Sequence, residues 1–397
     1  MNREKIALII LIMASMILAV YLSLFINKPN KPILFENMIP VYYENNKIIY
    51  ADTNKKWYDY NEKKWANAIV LNKDSKQYKV GEEIKMDDID MMYVWIPRFE
   101  FKLESKPEEN NPNPISIKFV KGKRNIKSNG YEIHSAFQFG NKKLTGFWAS
   151  KFELGYNEEN CKDKKYAICD DMENKLRLKP EVKSMKYKDI KELFDLSKSI
   201  SKTYSMNNDS HMIKNSEWGA IAYFTNSKYG RCNENECEEI SKNDSHIYTG
   251  KSQGADEALK NSNPNGTYNY DEKKGLKAST TKNLYGIYDL SGGHDEYVMG
   301  NYKNIISKSG FDKMPEKKYY DVYEEKDLKK LNSDHALDKA RGWFNDLHNY
   351  VNEDLPWLIR GGFYDCPKFA GVFGFGNKDG RAAEMATTRV VLTELED

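Results

Sequence analysis

The residues of this chain best suited to chemistry lie between Ala278 and Tyr302, in the run ASTTKNLYGIYDLSGGHDEYVMGNY. Leu284 to Tyr288 alternates as a strand does, and the chain then turns at Ser291-Gly292-Gly293 before His294, Asp295 and Glu296. Such a turn brings Asp289 and Glu296 within reach of one another. Carboxylates gathered by a turning chain suit a hard cation such as Ca²⁺ better than they suit catalysis. The alternative is a hydrated turn between two strands.

Five cysteines are the other candidates. Cys161/Cys169 and Cys232/Cys237 are close pairs that would each close a small surface loop as a disulfide, a sensible use of cysteine outside the cytoplasm. A zinc site from the same four is the alternative, but neither pair has Cys-x-x-Cys spacing and no histidine lies beside them. Cys366 is left over. The six histidines, His134, His211, His246, His294, His335 and His348, form no His-x-x-x-His pair and no close set with carboxylates. Dispersed in this way, they are expected at the surface. Neither a Gly-x-Ser-x-Gly elbow nor a phosphate-binding glycine loop occurs.

The elements that must position these residues come from a chain of 397 residues, enough for two or three domains or for one large one with attachments. Lys plus Arg, 61, nearly cancels Asp plus Glu, 59, so no global field argues for nucleic acid as a partner. After a short amino end, 1–5, Ile6 to Ile26 runs 21 residues without a charge, long enough as a helix to span a hydrocarbon core. A cleaved signal peptide is the alternative. Against it, the run is longer than a signal core, and neither an Ala-x-Ala site nor a lipobox cysteine follows. Arg3 and Lys5 favour the amino end inside, although Lys28 and Lys31 weaken that bias. The expectation is a single-pass protein of the cell membrane with its bulk extracytoplasmic.

Residues 27–38, with Pro29 and Pro32, read as a linker. In the segment 39–85, Lys56 to Ala68 reads as a small hairpin with an Asn-Glu turn and aromatics on one face. Trp57 and Trp65 there could stack on carbohydrate, yet cross-strand aromatic packing is the commoner use. In the large segment, 90–393, Tyr93 to Leu103 alternates as a half-buried strand, and Leu144 to Leu154 is a second aromatic strand. Lys106 to Pro114 reads as a loop. Lys191 to Ile200 and Ser216 to Phe224 have helical spacing, with Ser216 as the cap of the second. Trp357 to Leu392 supplies closing strands.

The run from Asn283 to Tyr297 resembles the Asn-x-aromatic-Gly-Leu-x-(Asn/Asp)-Met-x-Gly-Asn-x-Trp-Glu-Trp pattern of the formylglycine-generating enzyme and sulfatase-modifying factor family. Asn215 to Ala220, Leu358 to Phe363 and Thr388 to Leu392 resemble its further motifs, and Val94 to Pro97 and Thr145 to Trp148 sit where it opens. These segments occur in the family's order over roughly three quarters of the chain. The resemblance implies an α+β, C-type lectin-like fold with much irregular structure. Aromatic hairpins like that of 39–85 precede the large domain in surface proteins that this chain resembles.

The resemblance also implies a structural Ca²⁺ held by Asp289, the carbonyls of Gly292 and His294, and Glu296, oxygen donors throughout. Gly293 departs from the family's Asn, and His294-Asp295 replace a small residue and Trp. Catalytic members hold copper between two thiolates, the first at the position of Cys366 and the second five residues on, where this chain has Gly371. One thiolate cannot make that site, so copper is not expected, and Cys366 is a catalytic candidate only if the chain is an enzyme. Members that hold iron with three histidines find no matching set here. Loops between Asn226 and Ser279 and from Phe369 to Met385 would lie near the family's cleft. The expected function is therefore a bacterial, membrane-anchored, non-catalytic protein that binds a surface protein or a glycan. Two alternatives remain: a metal-dependent oxidoreductase of the same family, and a structural component of an envelope or appendage assembly.

Overall fold

The apolar run Ile89–Pro97 becomes the middle of the principal sheet in the computed structural model, which describes residues 5, 9–17, 28–103, 113–256, 259, 261–325, 335–337, 344, 346–366 and 370–396. In chain order the strands that frame the site begin with β1 (Ile39–Glu44), β2 (Lys47–Tyr50), β3 (Asn67–Leu71), β4 (Glu83–Ile84) and β5 (Ile89–Pro97). There follow β6 (Gly146–Ser150), β7 (Asp209–Met212), β8 (Asp295–Tyr302), β9 (Asp321–Tyr323) and β10 (Trp357–Gly361). The last are β11 (Gly371–Lys378), β12 (Ala386–Thr387) and β13 (Val390–Thr393). The architecture is α+β, mostly sheet with few helices.

Eight strands in the order β7-β13-β6-β5-β3-β1-β2-β4 form one fully antiparallel sheet. Five more form a second, in which β8 pairs antiparallel with β10 and parallel with β9 and β12, while β11 covers the far side of β10. The segment expected as a separate hairpin module, 39–85, thus shares one sheet with the segment expected as the large domain, through β3 against β5. Every residue of β5 is buried, Asp90 included. The strand is covered on both faces, not half-exposed as its alternation suggests, and Trp95 meets Trp148 of β6 edge to face at 5.3 Å.

Two helices pack beside the sheets. In α1 (Ile190–Thr203) Asp189 and Glu192 cap one another, each carboxylate accepting the other's backbone N–H. The buried stripe of that helix runs through Leu193, Phe194 and Ile200. The other, α2 (Asn215–Thr225), is buried all round. It begins one residue before Ser216, which is therefore not its cap. Instead the Asp321 carboxylate on β9 accepts the Ser216 N–H at 2.7 Å, and Glu217 accepts that of Lys214 at 2.8 Å.

Three further expectations meet the coordinates differently. Leu284 to Tyr288 is no strand. Two of its amides are satisfied locally, Tyr285 by the Asn283 side chain and Ile287 by Thr280, while Tyr288 N–H reaches Lys151 O at 2.8 Å, and Gly286 lies so close to the hydroxyls of Ser279 and Thr280 that a Cβ would clash. Lys56 to Ala68 does turn tightly, between Asp59 and Lys64, but its two tryptophans part: Trp65 is fully buried and donates to Tyr229 O, whereas Trp57 stays half-exposed. Residues 9–17 are helical and exposed, and among the described residues no helix is long and apolar enough to cross a membrane. The rest of the 6–26 run lies outside the described residues, as does 106–112 of the expected loop.

Candidate functional site

The Gly-Gly turn is a packed hub. Gly292 and Gly293 both hold positive φ, and a Cβ at Gly292 would lie closer than 3.0 Å to Asn243 O, so the close approach of two backbones requires glycine there. The Gly292 N–H donates to Gly361 O at 3.3 Å, Gly293 N–H to Asn243 O at 2.9 Å, and Tyr364 N–H to Gly293 O at 2.9 Å. The turn is thereby stitched to the Arg360-Gly361-Gly362 segment. Across the ladder Glu296 is the register partner of Arg360.

Both sequence-predicted carboxylate ligands have protein partners. Asp289, itself at φ 60°, accepts from Asn243 Nδ2 and from Gly250 N–H, both at 2.9 Å. Glu296 receives Arg389 through both oxygens, Nη2 at 2.6 Å and Nε at 3.1 Å. The same guanidinium also donates to Ser150 O and Tyr288 O, each at 2.8 Å. In this arrangement Arg389 supplies the positive charge beside Glu296. Among the described residues no three His, Cys, Asp or Glu side chains are grouped so as to hold a metal ion.

The sequence reading missed Glu153, which completes the hub. It accepts the His294 N–H at 3.2 Å and the Ser184 hydroxyl, and its Oε1 stands 3.7 Å from His294 Nδ1, which has no hydrogen-bond partner among the described residues. Three fully buried carboxyls therefore share one guanidinium. Burial, with the neighbouring carboxylates adding, pushes Asp289 up to about 7 and Glu296 to about 8, and burial pushes Glu153 to about 7. Burial also takes His294 down to about 4. Solvent reaches none of these groups, each being at most 1% exposed. The signal for Glu153 was a charge inside the aromatic run Phe147 to Leu154.

Cys366 is free and buried, and its thiol pKa is raised by burial and then by Asp295. Residues 367–369 lie outside the described residues, and Gly371 opens β11 as the register partner of Gly361. The room a side chain at 371 would need is taken. A Cβ there would lie closer than 3.0 Å to both oxygens and Cγ of Asp346, whose Oδ2 accepts the Phe373 N–H at 3.0 Å. Burial pushes Asp346 up to about 8, and its Oδ1 has no partner among the described residues.

The cysteine pairs are bonded, Cys161 to Cys169 and Cys232 to Cys237. The histidines are not all at the surface, since His134, His211 and His294 are buried. His211 lies between two carboxylates, Asp209 at 2.8 Å and Glu217 at 3.1 Å, and stacks on Phe139. Burial alone would lower its pKa, but Glu217 and Asp209 outweigh that and raise it. Asp209 in turn is held at about 2 against its own burial by His211 and Lys198. His211 stands two residues after Asp209 and six before Glu217, and that spacing, across a strand-to-helix junction, hides this trio from any sequence pattern.

No protein-family model matches the chain, and no curated protein matches it. Among solved structures it is similar to PvdO from Pseudomonas aeruginosa, at TM-score 0.34 and 12% identity over 76% of this chain and 94% of that one. Treponema denticola variable protein 1 gives 0.31 and 10%, over 80% and 98% of the two chains. A major tropism determinant, M1 variant, gives 0.32 and 10%, over 92% and 74%. Likenesses at this level carry no statement about function.

Proposed function

We propose that the chain is a membrane-anchored, extracytoplasmic protein that binds a ligand through a non-catalytic domain of the sulfatase-modifying-factor, C-type lectin-like kind. The family part of the reading rests on the ordered motifs and on their convergence: the Asn283 to Tyr297 run, the Arg360-Gly361-Gly362 segment and Arg389 meet at one hub through the Gly292–Gly361 and Glu296–Arg389 bonds. The anchor rests on the uncharged run of residues 6–26.

One observation carries the non-catalytic part. The carboxyl of Asp346 fills the place where a side chain at Gly371 would begin, so position 371 lacks both the second thiol and the room for one. A lone thiol with a raised pKa is a poor ligand for Cu(I), which wants soft thiolates in a pair. The test is an anaerobic Cu(I) titration of the full-length protein in detergent against a bathocuproine chelator. The chelator should keep the copper. Stoichiometric Cu(I) retained by the protein and lost in Cys366→Ser would replace the binding reading with that of an oxidoreductase.

A further inference from the structure

Trp57 of the 39–85 segment packs against the edge of the core but, unlike the fully buried Trp65, keeps part of its ring at the surface. It packs edge to face on Tyr58 at 5.0 Å, half-exposed, on the ridge where two hollows of about 600 and 720 Å³ meet. Each is of the size that holds small ligands, roughly 300–1,000 Å³. Around the first stand the half-buried rings of Tyr42 and Tyr50 and the exposed side chain of Val80.

We propose that this trough binds an uncharged glycan, with a pyranose ring laid against the Trp57 indole. The proposal deepens the ligand-binding reading by naming a place and a chemistry, and it rests on that reading only for the claim that the chain binds something.

Charge decides both the hollow and the class of ligand: the second hollow is basic, with Lys28, Lys31, Lys55 and Lys56 against Asp59 alone, so the glycan is assigned to the first, which is balanced. The described ionisable groups lining the first hollow, tyrosines aside, are Asp52, Asp59 and Glu62 against Lys55, Lys56 and Lys64, three of each sign. They cancel pairwise within the rim: Asp52 with Lys55 at 3.9 Å, Glu62 with Lys64 at 2.7 Å, and Asp59 with Lys56. An acidic polymer or a charged peptide would have to break such pairs to gain its own. A sugar does not. Its axial C–H face is apolar enough for an indole, and its hydroxyls both donate to carboxylates and accept from ammonium groups already in place.

The floor is also set before a ligand arrives. Tyr43 and Tyr285 meet at 4.9 Å, the Tyr43 N–H donates to Tyr285 Oη at 3.0 Å, and the buried Lys151 Nζ reaches Tyr43 Oη at 3.0 Å. A floor fixed in this way lowers the ordering cost of binding.

The experiment uses the full chain in detergent with cellohexaose, chitohexaose and mannohexaose as probes, followed by tryptophan emission and isothermal calorimetry. At least one probe should bind saturably, with affinity unchanged from about 50 to about 500 mM salt. Trp57→Ala should weaken it by roughly tenfold or more, as truncating a central aromatic anchor does. Trp57→Phe should keep most of the affinity, and Tyr50→Ala, on β2, should lose part of it, with thermal melts showing all three folded. Saturable binding of none of the probes overturns the proposal, as does binding that Trp57→Ala and Tyr50→Ala leave intact. Retention of heparin or polyglutamate alone, falling steeply with salt, overturns it too. The two readings fail separately: a glycan held equally well by Trp57→Ala removes this trough and leaves ligand binding, whereas copper held through Cys366 removes the non-catalytic reading whatever the glycans do.

Discussion

A methyl group added at position 371 should unseat Asp346. Its carboxyl is the end of a short side chain, buried and bonded to the Phe373 amide, and β11 is held to β10 by a ladder from Trp357 to Gly361. Gly371→Ala therefore drives the carboxyl off Phe373, stranding a buried N–H at about 1–3 kcal/mol. Overpacking adds about 1–3 kcal/mol more. The sum, roughly 2–6 kcal/mol, is a large share of the about 5–15 kcal/mol that usually holds a domain together. Asp346→Ala alone should cost the orphaned amide, about 1–3 kcal/mol. Because both changes concern one volume, the double variant should be more stable than the sum of the two predicts, by about 1 kcal/mol or more. Urea denaturation of the full chain followed by tryptophan fluorescence reads these values, provided the m-value holds constant. A Gly371→Ala variant within about 0.5 kcal/mol of the parent, or a strictly additive cycle, would refute the claim that Asp346 closes this position to a thiol.

The pH dependence has a definite sign. Glu153, Asp289 and Asp346 keep protons in the folded chain up to about 7, 7 and 8, protons that the unfolded chain releases near its ordinary carboxyl values, so stability falls as the pH climbs through that window. Asp346→Asn, which copies the protonated form, should flatten the slope of melting temperature between about pH 5 and 8, and an unchanged slope would show that Asp346 ionises freely. His211→Gln should cost roughly 3–5 kcal/mol, because Asp209 and Glu217 are left as buried charges without their shared partner. The stability His211 contributes is present below its ordinary pKa and lost as the pH rises through its raised folded value, while that of Asp209 is lost as the pH falls toward 2. Urea midpoints of parent and variant at about pH 6 measure the difference, and a loss under about 1 kcal/mol would mean that the trio is solvated.

What could be read from residues was whatever announces itself locally. The glycines of the turn, the aromatic strand that ends in Ser150 and the spacing of Leu193, Phe194 and Ile200 are short-range patterns, and each has its counterpart in the coordinates. The hub was legible in part, since Asp289 and Glu296 do lie within electrostatic reach of one another. Its remaining members come from far along the chain: Glu153 after β6, Asn243 from a loop, Arg389 beside β13. Long-range pairing leaves no periodicity to find. The alternating run Leu284 to Tyr288 misled because the Asn283 amide and the Thr280 hydroxyl take two of its backbone N–H groups, and single bonds to Asn67 and Lys151 take the place of a strand ladder. Trp57 and Trp65 looked equivalent in sequence, and only the route of the turn at Tyr60–Glu62 separates them.

The buried hub and the exposed trough are joined by one lysine. Lys151 stands two residues before Glu153 on the strand end that leads into the hub, and it is fully buried with its pKa driven well below the usual range by burial. Its Nζ donates to Asn67 Oδ1 at 2.6 Å, to Tyr43 Oη at 3.0 Å and to Leu284 O, so it ties β3, β1 and the motif run to a single point. Among these contacts is no carboxylate, and a fully charged ammonium so placed is costly. Such a cost is tolerable where it fixes geometry, and what it fixes is the floor of the trough, Tyr43 against Tyr285. The groups that looked like chemistry in the sequence are sealed from solvent and hold the frame. On the proposed binding reading, recognition falls to the aromatic and charge-paired surface that the frame keeps in shape, which is why Trp57 rather than Cys366 is the residue to change first.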